Sequence, residues 1–260
     1  MSFTQQILLN VPSVVLCLLM VCGSVILTIL GLLVVRRFVP HHKLKAHNDV
    51  SGPIFSTLGV VYAVLLAFVV IVVWERFDKS DMNAQKEANC LVDLWRDSEA
   101  FTPEFKGKAQ GLFKEYSKVV VSEEWDILAK GEMSPKVGEI VNKMWTLYSG
   151  YLPRNATEQA FFEESVRKLN EFGELRVMRI VDAHNGIHPI LLMVLTVGGI
   201  VTIAFTFFFG AESLRTQAAM SVLLAIIISL SMFTIFSLDY PFTGDVRINP
   251  PEVFKVLAVK

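Results

Sequence analysis

PIFSTLGVVYAVLLAFVVIVVW, the stretch from Pro53 to Trp74, holds no Asp, Glu, Lys or Arg and is long enough to cross a bilayer as one helix. A spanning helix needs ~20 apolar residues, because each adds ~1.5 Å and the hydrocarbon core is ~30 Å deep. Pro12 to Val35, Ile187 to Gly210 and Ala218 to Leu238 meet the same condition. Together the four runs account for a chain of 260 residues that is 53% hydrophobic with a mean hydropathy of +0.49. A chain of this size has no soluble core large enough to hide four such helices, so they are read as transmembrane. The expected fold is all-α: a polytopic membrane protein with four transmembrane helices and an inserted helical-bundle extramembrane domain. The expected divisions are 1–74 for the first two spans and their basic link, 75–186 for the inserted domain, 187–238 for the last two spans and 239–260 for a C-terminal tail.

Charge sets the expected orientation. The link from Arg36 to Gly52 carries Arg36, Arg37, Lys43 and Lys45 against Asp49, whereas the N-terminal tail carries no charged side chain. Basic loops stay in the cytoplasm, so the link is placed there, and the N-terminus, inserted domain and C-terminus are placed outside. The N-terminal tail lacks the basic residues of a cleavable signal, and the first run is read as an uncleaved span. A net charge of -1 gives no basic surface for nucleic acid. Cys17, Cys22 and Cys90 offer neither a disulfide framework nor zinc spacing, and no cofactor is expected.

The second span should continue out of the bilayer, because Ile54 to Thr102 contains no proline and, apart from Gly59, no glycine. Ala84, Ala88, Leu91 and Trp95 then fall on one helical face that requires partners. Thr102-Pro103 and Ser134-Pro135 read as helix starts, Gly131 as a stop, and a last helix begins near Asn155 to Glu158. The mixed charge of this domain is that of a solvated helical surface. Glu123, Glu124 and Asp126 have no calcium-loop spacing around them.

Chemistry of several kinds is missing from the sequence. There is no glycine-rich phosphate loop, nucleophile elbow or His-Glu-x-x-His pair, so no enzyme and no catalytic residue is expected. No Asp, Glu, Lys, Arg or His lies in the interior of a span, which disfavours a proton-coupled transporter or a voltage sensor. The spans do carry small residues at helical spacing: Gly52, Ser56, Gly59, Ala63 and Ala67 in the second, Gly199, Thr202, Thr206 and Gly210 in the third, Ser221, Ala225 and Ser229 in the fourth. Such stripes let helices pack closely. The alternative for the second span is that Ser56, Gly59, Ala63 and Ala67 line a conduit on the symmetry axis of a homo-oligomer. Arg36, Arg37, Lys43 and Lys45 would either orient the chain and touch anionic lipid or form an electropositive mouth. His41, His42, His47 and Asp49 lack regular metal spacing, and no metal site is expected.

The segment His47-Asn48-Asp49-Val50-Ser51-Gly52-Pro53-Ile54-Phe55, followed by Gly59-Val60-Val61-Tyr62-Ala63-Val64-Leu65-Leu66-Ala67-Phe68 and Trp74-Glu75, resembles the bestrophin-like membrane proteins. Glu87-Ala88, Glu124-Trp125 and Pro241-Phe242-Thr243-Gly244 with Ile248, Pro250 and Phe254 extend the likeness over nearly the whole chain. The resemblance implies a membrane protein of a family of bacteria and plants with a distant similarity to bestrophins, pentameric anion channels whose second helix lines the pore; the expected location is a bacterial inner membrane. It departs from them in the side on which the inserted domain is placed, and in having no acidic calcium clasp. His47, Asn48, Asp49 and Ser51 are candidates for capping the second span, and His47, Asn48 and Asp49 also for a mouth or gate. The expected function is a homo-oligomeric channel for inorganic ions, anions first, embedded in the lipid bilayer. The alternatives are a non-conducting membrane scaffold or sensor and a small-molecule transporter.

Overall fold

Thr102-Pro103 and Ser134-Pro135 each put a hydroxyl just before a proline at the first helical position, where the absent N–H has no helical partner to lose. In the computed structural model, which describes residues 2–40 and 44–259, Thr102 accepts from the Phe105 N–H at 3.2 Å and Ser134 from the Val137 N–H at 3.5 Å. Asn155 caps in the same way, accepting from the Glu158 N–H at 2.9 Å. In chain order the helices are α1 Phe3–Asn10, α2 Ser13–Phe38, α3 Asn48–Asp97, α4 Pro103–Val119, α5 Pro135–Ser149, α6 Ala156–His184, α7 Pro189–Phe205, α8 Leu214–Leu238 and α9 Glu252–Val259. A π-helical turn, Val120–Glu124, and a last helical turn, Trp125–Leu128, prolong α4. The described residues contain no strand, and α2, α3, α7 and α8 are long and apolar enough to span a membrane. The protein is an all-α integral membrane protein.

The chain divides into two units. The membrane unit comprises Val11–Glu75 and Ile187–Asp239. Its interior is filled by Leu32, Leu195, Ala225 and Ile235, all buried, while Leu27, Val60, Ile200 and Leu223 point outward, as a lipid surroundings requires. Gly31 lets the Phe207 ring pack against α2: a Cβ there would stand 2.6 Å from that ring. Gly199, Thr202, Ser221, Ala225 and Ser229 are buried, so the small residues of the third and fourth spans pack helices together.

The second unit gathers the described residues of Met1–Asn10, Arg76–Gly186 and Tyr240–Lys260. Ala84, Ala88 and Leu91 are fully buried and Trp95 is packed against the same core, which includes Phe113, Ile140, Met144 and Phe172. Both chain ends join it. In α1, Gln5 donates to the Ala183 carbonyl at 3.0 Å, beside Gly131, whose φ of 72° ends the α4 segment in a conformation that L side chains resist. From the tail, Phe242 and Phe254 are fully buried, each worth about 1.5–3 kcal/mol of apolar transfer. Trp125 Nε1 donates to the Ile248 carbonyl and Thr243 Oγ1 to the Ala129 carbonyl, both at 2.8 Å.

Candidate functional site

A helix turns about 100° per residue, so positions seven apart share one side. Along α3, Asn48, Phe55, Tyr62 and Val69 form one such row, and it faces inward. Phe55 lies against Phe205 and Phe209, with ring centroids 5.6 and 5.5 Å away. Tyr62 is buried and donates to the Leu195 carbonyl at 3.1 Å. Its ring fills the space left by Gly198, where a Cβ would stand 2.8 Å from it.

One residue further round runs a second row, Asp49, Ser56 and Ala63, flanked by Gly52, Gly59 and Ala67. Asp49, Ser56, Ala63 and Ala67 are exposed, and among the described residues no atom other than those of the chain neighbours and the local backbone of α3 itself lies within 4 Å of where a Cβ on Gly52 or Gly59 would stand. The four candidate lining residues thus share one uncovered face. Ser56 donates its hydroxyl hydrogen to the Gly52 carbonyl at 3.1 Å, which leaves the oxygen free to accept. Beyond this face, Val60, Val64 and Phe68 are bulky and exposed.

The three mouth candidates separate. Asn48 turns inward and clamps the backbone of Gly210, accepting from its N–H at 3.0 Å and donating to its carbonyl at 3.2 Å. His47 and Asp49 are exposed. Gly210 tolerates nothing larger, since a Cβ there would stand 2.1 Å from the Lys45 backbone nitrogen. The basic candidates also differ from one another. Arg36 donates to Gln217 Oε1 from Nε at 3.1 Å and from Nη2 at 2.7 Å, and to the Ala211 carbonyl. Gln217 in turn donates to the carbonyls of Thr206 at 3.0 Å and Phe209 at 2.8 Å. Arg37 is exposed, Lys45 pairs with Glu212 at 2.6 Å, and Lys43, like His41 and His42, lies outside the described residues.

The other unit contains a constellation that sequence patterning did not assemble. Arg179, fully buried, donates from Nε to Glu87 Oε2 at 2.7 Å and from Nη2 to Glu87 Oε1 at 3.0 Å and Glu124 Oε2 at 2.9 Å. Arg176 donates to Glu124 Oε1 at 3.1 Å, Tyr116 donates to Glu87, and the Arg179 guanidinium stacks over the Trp125 ring at 4.9 Å. Burial alone would push the Arg179 guanidinium down, but Glu87 and Glu124 outweigh it and hold the charge. Burial, reinforced by the Glu87 charge, lifts the Tyr116 phenol well above its usual range, so it stays a donor. Glu123 pairs with Lys136 at 2.6 Å and Asp126 with Arg247 at 3.6 Å, so each acid of the 123–126 cluster has a basic partner.

The sequence profile of the bestrophin-like domain matches residues 22–252. The chain belongs to the bestrophin-like family. Membership supports an ion-channel kind of function rather than an enzyme at the level of the family. Among solved structures, this bestrophin-like chain is similar to a point variant of a bacterial bestrophin homologue from Klebsiella pneumoniae, at 12% identity and a TM-score of 0.69 over 92% of this chain and 96% of that one. A structure of a Klebsiella pneumoniae bestrophin homologue phased on zinc gives 12% identity and a TM-score of 0.67 over 91% and 95% of the two chains. At this identity the likeness is one of fold. No curated protein matches the sequence significantly.

Proposed function

We propose that the protein is a homo-oligomeric ion channel whose conduit lies on the symmetry axis and is lined by the Ser56, Gly59, Ala63 and Ala67 face of α3. The observation that carries this reading is that small, uncovered face, set between an inward row spent on packing and an outward row of bulky residues. The interior of the membrane unit is occupied by buried side chains such as Leu32, Leu195, Ala225 and Ile235, so the path is placed between subunits. Anions are the first expectation for the conducted ion, drawn in by the exposed Arg37 and Lys45 at the basic end. By the charge rule, that end is cytoplasmic in a bacterial inner membrane, with both chain termini and the helical unit outside.

A second reading of selectivity rests on Asp49. It is exposed on the same row as Ser56 and Ala63, and a ring of carboxylates at a pore mouth favours cations. Purified protein in liposomes, challenged separately with chloride and potassium gradients, tests both readings. Ser56→Trp and Gly59→Trp should abolish flux in a still-assembled protein. The sign of the reversal potential identifies the ion, and Asp49→Asn should move it only if cations pass. Absence of wild-type flux across varied pH, calcium and membrane tension would sink the channel and leave the scaffold.

A further inference from the structure

We infer that the basic end of the membrane unit binds a phospholipid with an anionic headgroup, one acyl chain lying in a cavity between α3, α8 and the segment 206–211 that joins α7 to α8. This goes beyond the channel reading and does not rest on it. The cavity measures ≈ 460 Å³ and runs from Asn48 and Ala211 at the end of the bundle, past Phe55 and Phe209, to Met220 and Leu224 along the span. Its polar side chains are engaged within the protein. Gln217 bonds Arg36 and two carbonyls, Asn48 bonds both backbone groups of Gly210, and the Ser221 hydroxyl is shared with Thr206 at 2.8 Å. What remains for an occupant is the hydrocarbon surface of Phe55, Phe209, Met220 and Leu224, and Met220 is 57% exposed at its edge. In a bilayer an acyl chain meets that demand without desolvating anything.

The charge at the same end selects the headgroup. Arg36, Arg37, Lys45 and Arg215 stand there against Asp49 and Glu212, an excess of positive charge among the described residues. Lys45 and Arg36 are tied to the cavity wall itself, through the Lys45 backbone against Gly210 and the Arg36 guanidinium on the Ala211 carbonyl. The Lys45 ammonium has three N–H donors, and Glu212 at 2.6 Å engages one of them. Basic pockets between transmembrane helices are the sites at which anionic headgroups settle. A second copy of this chain would have to bring an acid to this rim, whereas an anionic lipid brings its charge already joined to the chain that fills the cavity.

Native mass spectrometry of the full-length protein in detergent, titrated with phosphatidylglycerol or phosphatidylcholine of identical acyl chains, tests the site. Phosphatidylglycerol should be retained in preference. Lys45→Gln should weaken it about fivefold, the equivalent of about 1 kcal/mol for one cation near a headgroup. Leu224→Trp, which fills the cavity, should remove the tightest-bound lipid, and glycerol phosphate alone should fail to compete. Equal retention of the two lipids, competition by glycerol phosphate, or undiminished binding to Leu224→Trp would each overturn the assignment. If Leu224→Trp does not assemble, Met220→Trp at the exposed edge decides in its place: displacement of the lipid supports the site and unchanged retention overturns it.

Discussion

Replacing Arg179 with methionine isolates the energetics of the buried ion cluster. The wild-type guanidinium makes two bonds to Glu87 and one to Glu124, with Arg179, Glu87 and Glu124 all fully buried. Arg179→Met keeps much of the volume and removes the only guanidinium bonded to Glu87 among the described residues. Glu87 then keeps the Tyr116 hydroxyl but loses its countercharge. Breaking a buried pair from one side costs about 3–5 kcal/mol, because a charge stays behind in a medium that cannot solvate it. For a chain of this size that corresponds to a fall in melting temperature of roughly 6–20 °C. Adding Glu87→Leu to Arg179→Met should recover a large part of the loss, since no unpaired charge then remains at that position. Thermal and denaturant unfolding followed by tryptophan fluorescence reads both effects, and Trp125, stacked on Arg179, reports locally. A single-variant shift below about 2 °C, or strictly additive losses in the double variant, would refute the claim that this cluster is an interdependent buried network.

Three further outcomes follow from particular contacts. Asn48→Ala strips both backbone groups of Gly210 of their partner and should cost about 1–3 kcal/mol, while Gly210→Ala should be worse, because its Cβ would overlap the Lys45 backbone; thermal melts of the two variants rank them. Tyr62→Phe removes the hydroxyl that serves the Leu195 carbonyl and should cost about 1 kcal/mol without loss of assembly on size-exclusion chromatography. Side-chain and backbone hydrogen bonds from Arg154 lower the Glu158 carboxyl from its ordinary 4.5 to about 2. A depressed folded-state value means that the stability Glu158 contributes is present above pH 4.5 and lost as pH falls towards about 2. Glu158→Gln should therefore melt lower at pH 7 and show a shallower decline across that acid window.

The spans, the long α3 and the proline-marked helix starts were legible because each depends on local pattern: apolar run length, the absence of helix breakers, and a hydroxyl one residue before proline. The Ser56, Gly59, Ala63 and Ala67 row was legible for the same reason, since helical spacing alone puts those residues on one side. What could not be read was anything joining residues far apart in sequence. Glu87, Glu124, Arg176 and Arg179 are unremarkable charges in a mixed-charge domain, and only the packing of α3, α4 and α6 makes them one buried cluster. Glu87-Ala88 and Glu124-Trp125 did stand out by family resemblance, a signal that named the residues without saying what they do. The tail from Pro241 to Phe254 was equally opaque, because its partners Trp125 and Tyr116 are more than a hundred residues away.

His47, Asn48 and Asp49 show how adjacency in sequence misleads at a helix entrance. Read as a motif they invite a single role, capping or gating. Folded, successive residues point about 100° apart, and the motif is divided: Asn48 belongs to the inward row with Phe55 and Tyr62, Asp49 to the uncovered row with Ser56 and Ala63. The same clamp that fixes Asn48 on Gly210 sets the rotation of α3 about its own axis, because both backbone groups of one residue are held at 3.0 and 3.2 Å. Asp49 therefore has no freedom to share the inward role, and its carboxylate stands wherever the small-residue face stands. If that face lines a conduit, the charge nearest its basic end is negative even though the link as a whole is positive. Long-range attraction by the link would then act on ions approaching the mouth, and Asp49 on ions entering it. These two charges oppose each other, so Asp49→Asn in the liposome assay separates them. An unchanged reversal potential leaves selectivity to the link, and a shift towards anions assigns it to Asp49.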